Sequence, residues 1–176
     1  LLETLKYIHQ NKICHRDIKP ENILYCREQK RIIIIDFGIS KKVEDRGRKK
    51  EMLTLTGTPY YRAPEMFEGG GYDEMVDLWA LGITIFKLMT GFTPFESEYH
   101  SDTISNILKN EVVFPEELKF ECSQYPKNLV RRLVKKRKEE RLNAEAAILD
   151  PWFLGMKGHG EEDIIRSMCM NKPEVE

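Results

Sequence analysis

The chain has 176 residues, 41% of them hydrophobic and 32% charged, with a formal net charge of -1. That length and balance suit one globular domain or a large part of one. The near-neutral charge argues against a whole-molecule pull toward nucleic acid or an anionic membrane, so neither is an expected partner. The four cysteines, Cys14, Cys26, Cys122 and Cys169, form no CxxC pair and lack zinc-ligand spacing. Free thiols in a cytoplasmic or nuclear setting are therefore expected.

Residues 1–11 place Leu1, Leu2, Leu5 and Ile8 on one helical face, with Asn11 as a stop and no N-cap in front. This helix is expected to begin upstream of Leu1. "KIC" reads as a brief strand. "NILY" and "RIIIIDF", separated by the polar "CREQK", read as a hairpin whose isoleucine run is a buried strand. Residues 41–58 are polar, basic and without periodicity, which predicts a long loop of the functional or mobile kind. "EGGGY" at 68–72 reads as a break and a flexible insert. "MVDLWALGITIFKLMTG" at 75–91 is apolar on nearly all sides, which predicts a central buried helix ended by Gly91, with Pro94 preventing its resumption. Amphipathic helices are predicted over 101–109, 126–138 and 143–149. Residues from 154 onward read as a tail with one short helical stretch, "EEDIIRSM", and an acidic end.

Three short constellations could carry chemistry. In "HRDIKPEN", Asp17 lies between Arg16 and Lys19, and a carboxylate between two cations stays ionised. It can accept a hydrogen bond from a hydroxyl and take its proton late in a reaction. Lys19 can neutralise charge that develops on a transferred group. Asn22 offers an amide oxygen suited to magnesium. In "IIIIDFG", a strand delivers Asp36 at its end, and Gly38 permits the turn that follows. Asn22 and Asp36 together would make a sparse oxygen-ligand site of the kind that substrate phosphates complete. In "GTPYYRAPE", Gly57 and Pro59 shape one turn and Ala63-Pro64 another, and Glu65 could start a helix or pair with a distant arginine.

These three motifs, in this order, resemble the larger lobe of a eukaryotic protein kinase, with its H-R-D-x-x-x-x-N, D-F-G and A-P-E segments. The resemblance covers roughly residues 1–153, leaving 154–176 as a C-terminal tail. "DLWALG" resembles the family's central helix, and "EERLNAEAAILDPWF" the region whose arginine pairs with the A-P-E glutamate. The lysine of "HRDIKPEN" is similar to the serine/threonine version of the loop. "GTPYYRAPE", "LMTGFTPF" and "DPWF" are most similar to the calcium/calmodulin-dependent group. The implied fold is mainly α, with a small β-hairpin region and no N-terminal lobe. The Gly-rich loop and the strand lysine of that lobe do not occur here, which predicts an incomplete kinase domain.

The resemblance implies ATP and magnesium as cofactors and protein hydroxyls as substrates, in a reaction driven by positioning and charge stabilisation. It makes Asp17 the catalytic base and Lys19 the group that steadies the γ-phosphate. Thr58 contacts both of these, and Asn22 and Asp36 are the magnesium ligands. Leu24 lies beneath the adenine, and Glu21, at the same site, favours basic residues upstream of the target hydroxyl. His15, Phe37 and Asp77 become parts of a regulatory core, Gly38 a structural turn residue, and Glu65–Arg141 a buried ion pair. Arg16 is expected to meet a phosphate on Thr54, or alternatively Thr56, placed there by an upstream kinase.

Other features have plainer readings. His9, His100 and His159 look incidental. The basic stretch "KNLVRRLVKKRKEER" at 127–141 could be a calmodulin-type target or a nucleic-acid patch. The favoured reading is a solvated face with Leu129, Val130 and Leu133 turned inward. A non-catalytic module that docks a partner through the substrate groove is the rival function.

Overall fold

The computed structural model describes residues 1–45, 48–49, 52–116 and 123–156, with the backbone alone at 44–45, 48–49 and 154–156. The readings that fall on Cys122, on Cys169, on His159 and on the stretch "EEDIIRSM" lie outside these residues.

The first helix, α1 (Leu2–Gln10), buries Leu2, Leu5 and Ile8, the three-residue spacing that stacks side chains on one face. It stops at Asn11, and Lys12 turns the chain at φ 59°. Strand β1 (Ile13–Cys14) pairs antiparallel with β4 (Lys41–Lys42). Strands β2 (Ile23–Cys26) and β3 (Arg31–Ile34) form the predicted hairpin, with Leu24 opposite Ile33 and Tyr25 opposite Ile32.

The isoleucine run is not a buried strand. Ile34 is buried, but Ile32, Ile33, Leu24 and Tyr25 are all exposed, because no described element covers either face of this hairpin over those four residues. Residues 41–58 are not a plain loop either. They contain β4 and a second hairpin, β5 (Glu44–Asp45) with β6 (Arg48–Lys49), and Met52 makes an isolated bridge to Tyr72. The pairing partners of β4 and Met52 lie far away in sequence, so no local periodicity could announce them.

Helix α2 (Met75–Thr90) is the centre of the core, with twelve of its sixteen residues buried. Trp79, Leu78, Leu81, Ile83 and Phe86 are fully enclosed. Each such side chain removed from water stabilises the fold by about 1.5–3 kcal/mol. Gly91 ends the helix at φ 90° and returns its N–H to the Lys87 carbonyl. Gly82 lets α2 approach the segment after it closely: a Cβ there would lie 2.5 Å from Val134 Cγ2.

Helix α3 (His100–Lys109) and helix α4 (Gln124–Leu133) follow, and α4 turns Leu129, Val130 and Leu133 inward. It ends five residues before the predicted limit. The carbonyls of Lys135 and Lys136 turn aside to accept Arg141, so they cannot continue a helical ladder. Helix α5 (Ala144–Ile148) is capped by Asn143, whose Oδ1 accepts the Ala146 N–H at 2.8 Å. Helix α6 (Pro151–Met156) runs through the point at which the tail was expected to begin. Pro151 suits a first turn, and Asp150 Oδ1 accepts the Trp152 N–H. The fold is therefore mainly helical, with small antiparallel β pairs. Among the described residues, no helix is long and apolar enough to cross a membrane.

Candidate active site

The site is assembled on segment 15–22, between β1 and β2, and its anchor is the buried carboxylate of Asp77 on α2. Asp77 Oδ2 accepts the His15 N–H at 2.8 Å, and Oδ1 accepts the Arg16 N–H at 2.8 Å. His9 Nε2 donates to the same Oδ2 at 2.9 Å. His9 is therefore not incidental: it closes the buried carboxylate from the α1 side, a contact across 68 residues of sequence. These bonds hold Arg16 at φ 72°, a conformation that costs a bulky residue energy unless its surroundings fix it. Gly57 lies against this turn at φ 80°, and a Cβ there would come within 2.4 Å of the Arg16 carbonyl.

His15 is fully buried. Its ring donates from Nε2 to the Ile35 carbonyl at 3.0 Å and accepts the Asp17 N–H at Nδ1, so the two bonds together select the tautomer. Phe37 meets its edge with ring centroids 4.7 Å apart. His15, Phe37 and Asp77 thus form one contiguous group under the segment that carries Asp17.

Asp17 accepts from three side chains. Lys19 Nζ lies 2.7 Å from Oδ2, Asn22 Nδ2 donates to Oδ2 at 2.9 Å, and Thr58 Oγ1 donates to Oδ1 at 2.9 Å. The Thr58 N–H adds a fourth bond at 3.0 Å. Lys19 Nζ also donates to Thr58 Oγ1 at 2.7 Å, closing a ring of three residues. Burial pushes the Asp17 carboxyl up, but the bonds from Lys19 and Thr58 outweigh it and hold the group below its ordinary value. The flanking-cation reading needs one correction. Arg16 does not meet this carboxylate; its Nε donates to the Ile39 carbonyl at 2.6 Å and its Nη1 to the Tyr72 hydroxyl at 3.3 Å.

Asn22 and Asp36 stand at the open end of the first hairpin, where the Ile35 N–H donates to the Asn22 carbonyl. Asn22 commits its amide nitrogen to the carbonyl and carboxylate of Asp17, which leaves its amide oxygen as a metal donor. Asp36 is exposed at φ 62° and accepts the Gly38 N–H at 3.2 Å. No cluster of three His, Cys, Asp or Glu suited to a metal occurs among the described residues. One amide oxygen and one exposed carboxylate fit magnesium that arrives with phosphate oxygens, and do not suffice for a resident ion. Leu24, exposed beside Ile33, presents an apolar surface on the same hairpin.

The loop that leads to Thr58 is tied down by residues that sequence reasoning passed over. Tyr72, read as part of a flexible insert, is 2% exposed. Its hydroxyl donates to the Thr54 carbonyl at 2.5 Å while it accepts from Arg16. Arg62 donates from Nε to the Thr56 carbonyl at 3.1 Å and from Nη2 to the Gly57 carbonyl at 2.8 Å. The Thr54 side chain is exposed, whereas the Thr56 hydroxyl is buried without a partner. The only hint of these ties in the sequence is an aromatic residue after three glycines.

Glu65 and Arg141 make a buried bidentate pair: Nη1 to Oε1 at 2.7 Å and Nη2 to Oε2 at 3.0 Å. Glu21 is exposed, with Lys87 Nζ 4.0 Å from its Oε1.

The site thus joins an ionised acid, a lysine and a threonine beside a sparse oxygen-donor pair. The protein kinase domain family matches residues 1–153, and the chain belongs to that family. Among its relatives, calcium/calmodulin-dependent protein kinase type I of Schizosaccharomyces pombe is 35% identical over 169 residues, 95% of this chain and 50% of that protein. The type 1 enzyme of Macrobrachium nipponense is 38% identical over 157 residues, 88% of this chain and 44% of that protein. A probable myosin light chain kinase of Dictyostelium discoideum is 35% identical over 167 residues, 93% of this chain and 41% of that protein. The chain thus spans between 41% and 50% of the length of these three relatives.

Proposed function

We propose that this chain carries the catalytic loop of a serine/threonine protein kinase that transfers the ATP γ-phosphate to protein hydroxyls, in the cytoplasm or nucleus. The observation that supports this best is the placement of Asp17, whose two oxygens are oriented by Lys19, Asn22 and Thr58. A carboxylate that accepts four hydrogen bonds stays ionised and fixed. It can therefore align a substrate hydroxyl and receive its proton as the oxygen forms its new bond. Lys19 places a positive charge beside that event, and Thr58 keeps the lysine and the acid together. Asn22 and Asp36 would hold magnesium, and Leu24 would support the adenine. ATP with magnesium, when bound, supplies the phosphoryl group and neutralises its charge.

Residues 1–153 make up the kinase portion in this reading, and 154–176 extend beyond it. Glu21, exposed and 4.0 Å from Lys87 at its nearest, stays available to favour basic residues upstream of the hydroxyl. The test is phosphotransfer from ATP–magnesium to a serine/threonine peptide library by this protein. Turnover abolished by Asp17→Asn supports the reading. A folded protein that transfers no phosphate while still binding protein partners would replace it with the non-catalytic docking function.

A further inference from the structure

The basic stretch 124–141 holds eight Lys and Arg against two Glu, in a chain whose net charge is -1. The fold uses part of this charge internally. Arg141 serves Glu65 and Lys138 meets Asp73. Arg137 reaches Glu140, and Lys136 lies over Phe95 and Trp79. Lys127 lies over Phe114, and Arg132 pairs with Asp150. Arg131, Arg132 and Lys135, with Tyr125 and Asn128, line one open cavity of about 410 Å³ between α4 and the start of α6. No residue of the Asp17 cluster contributes to it.

One of these cations is engaged by neutral groups and another by a buried carboxylate. Arg131 donates from Nη1 to Asn128 Oδ1 at 3.2 Å and lies 5.3 Å over the Phe114 ring. Arg132 donates from Nη1 to Asp150 Oδ2 at 2.5 Å. That carboxylate is buried and also caps the Trp152 N–H, whereas the Arg132 side chain is 47% exposed. Each guanidinium keeps most of its donors open, and Lys135, just past the end of α4, adds a third charge. Asp150 is the single acid on the cavity wall. Two planar guanidinium forks and an ammonium exceed what one carboxylate would neutralise. They suit a dianion with three acceptor oxygens. The cavity is open, and Tyr125 on its wall is 53% exposed, so a chain carrying the anion has a surface to lie on.

We propose that the groove between α4 and α6 binds a phosphorylated segment of a partner protein, with Arg131, Arg132 and Lys135 receiving the phosphomonoester. Binding needs no turnover, so this site stands or falls separately from the phosphotransfer reading.

The test is capture from a phosphoserine peptide library with randomised flanks, in parallel with the same library unphosphorylated, by the 176-residue chain. Phosphorylated members are expected to bind at least about tenfold more tightly, and their binding to weaken as salt rises from about 50 to about 300 mM. Arg131→Glu with Lys135→Glu should remove that preference at an unchanged melting temperature. Arg131→Gln with Lys135→Gln, which leaves the Arg132–Asp150 pair alone, should weaken it in the same direction. Equal binding of the two libraries would overturn the proposal, as would an unaltered preference in both double variants. Inorganic phosphate competing as tightly as the peptides would reduce the site to a simple anion hole. Peptide binding seen only in a chain ending at Met156 would make residues 157–176 the occupant in place of a partner. Either result overturns the proposal.

Discussion

Thr58 donates twice to one oxygen of Asp17, from its N–H at 3.0 Å and from its hydroxyl at 2.9 Å. The hydroxyl, which also accepts from Lys19, can be removed while the N–H bond stays. Thr58→Val should lower phosphotransfer by about a hundredfold through misplacement of Asp17 and Lys19, while Thr58→Ser restores most of it. The same change acts on stability in acid. Asp17 titrates below its ordinary 3.8 in the folded chain, so its contribution is present above that pH and is lost as pH falls through the lower folded value. Thr58→Val raises the folded value and narrows this window. Acid-unfolding midpoints followed by circular dichroism, together with a kcat and KM comparison, check both effects.

Arg141 and Glu65 bring a charged pair into the core, with no exposure of the arginine side chain. Arg141→Met leaves Glu65 as an uncompensated buried acid and releases the carbonyls of Lys135 and Lys136. A loss of about 3–5 kcal/mol is expected from urea unfolding. The double variant Arg141→Met with Glu65→Leu should recover a large part of that loss, since the unpaired charge is gone.

Tyr72→Phe keeps the buried ring and removes the hydroxyl that links Arg16 to Thr54. The expected loss is about 1 kcal/mol, with faster amide exchange across residues 52–58. Thr54→Ala should leave that exchange unchanged, because only the Thr54 carbonyl takes part. Hydrogen exchange read by mass spectrometry on both variants separates the two residues.

Lys136 donates to the Ile107 carbonyl at 2.7 Å, and burial pushes its ammonium down to about 8. The folded chain therefore releases this proton more readily than the unfolded one, whose lysine titrates near 10.5. Stability contributed by this site should rise as pH climbs from about 8 toward 10.5, the reverse of an ordinary paired lysine. Lys136→Met should flatten that dependence. Melting temperatures of the two chains across this range give the answer.

Much of the site was legible before the fold. "HRDIKPEN", "IIIIDFG" and "GTPYYRAPE" point to Asp17, Lys19, Asn22, Asp36 and Thr58 through their resemblance to the kinase motifs, and the structure brings Asp17, Lys19, Asn22 and Thr58 into contact. The hidden contributors were His9 and Tyr72. Their side chains meet Asp77 and Arg16 across 68 and 56 residues of sequence, a separation at which no spacing rule applies. The basic stretch misled for a related reason. Its charges looked uniformly solvated, yet Lys136, Lys138 and Arg141 are each claimed by a partner on another element.

By itself the sequence determined the central helix, its end at Gly91, the hairpin partners and which polar residues fall within one short segment. Those depend on apolar density, backbone freedom at glycine and side-chain chemistry, all of which are local. Only the tertiary structure decided which cation meets which anion. Arg16 turned from Asp17 to Ile39 and Tyr72, and Arg141 broke α4 to reach Glu65, because a buried donor takes the acceptor that packing brings near it rather than its neighbour in the chain.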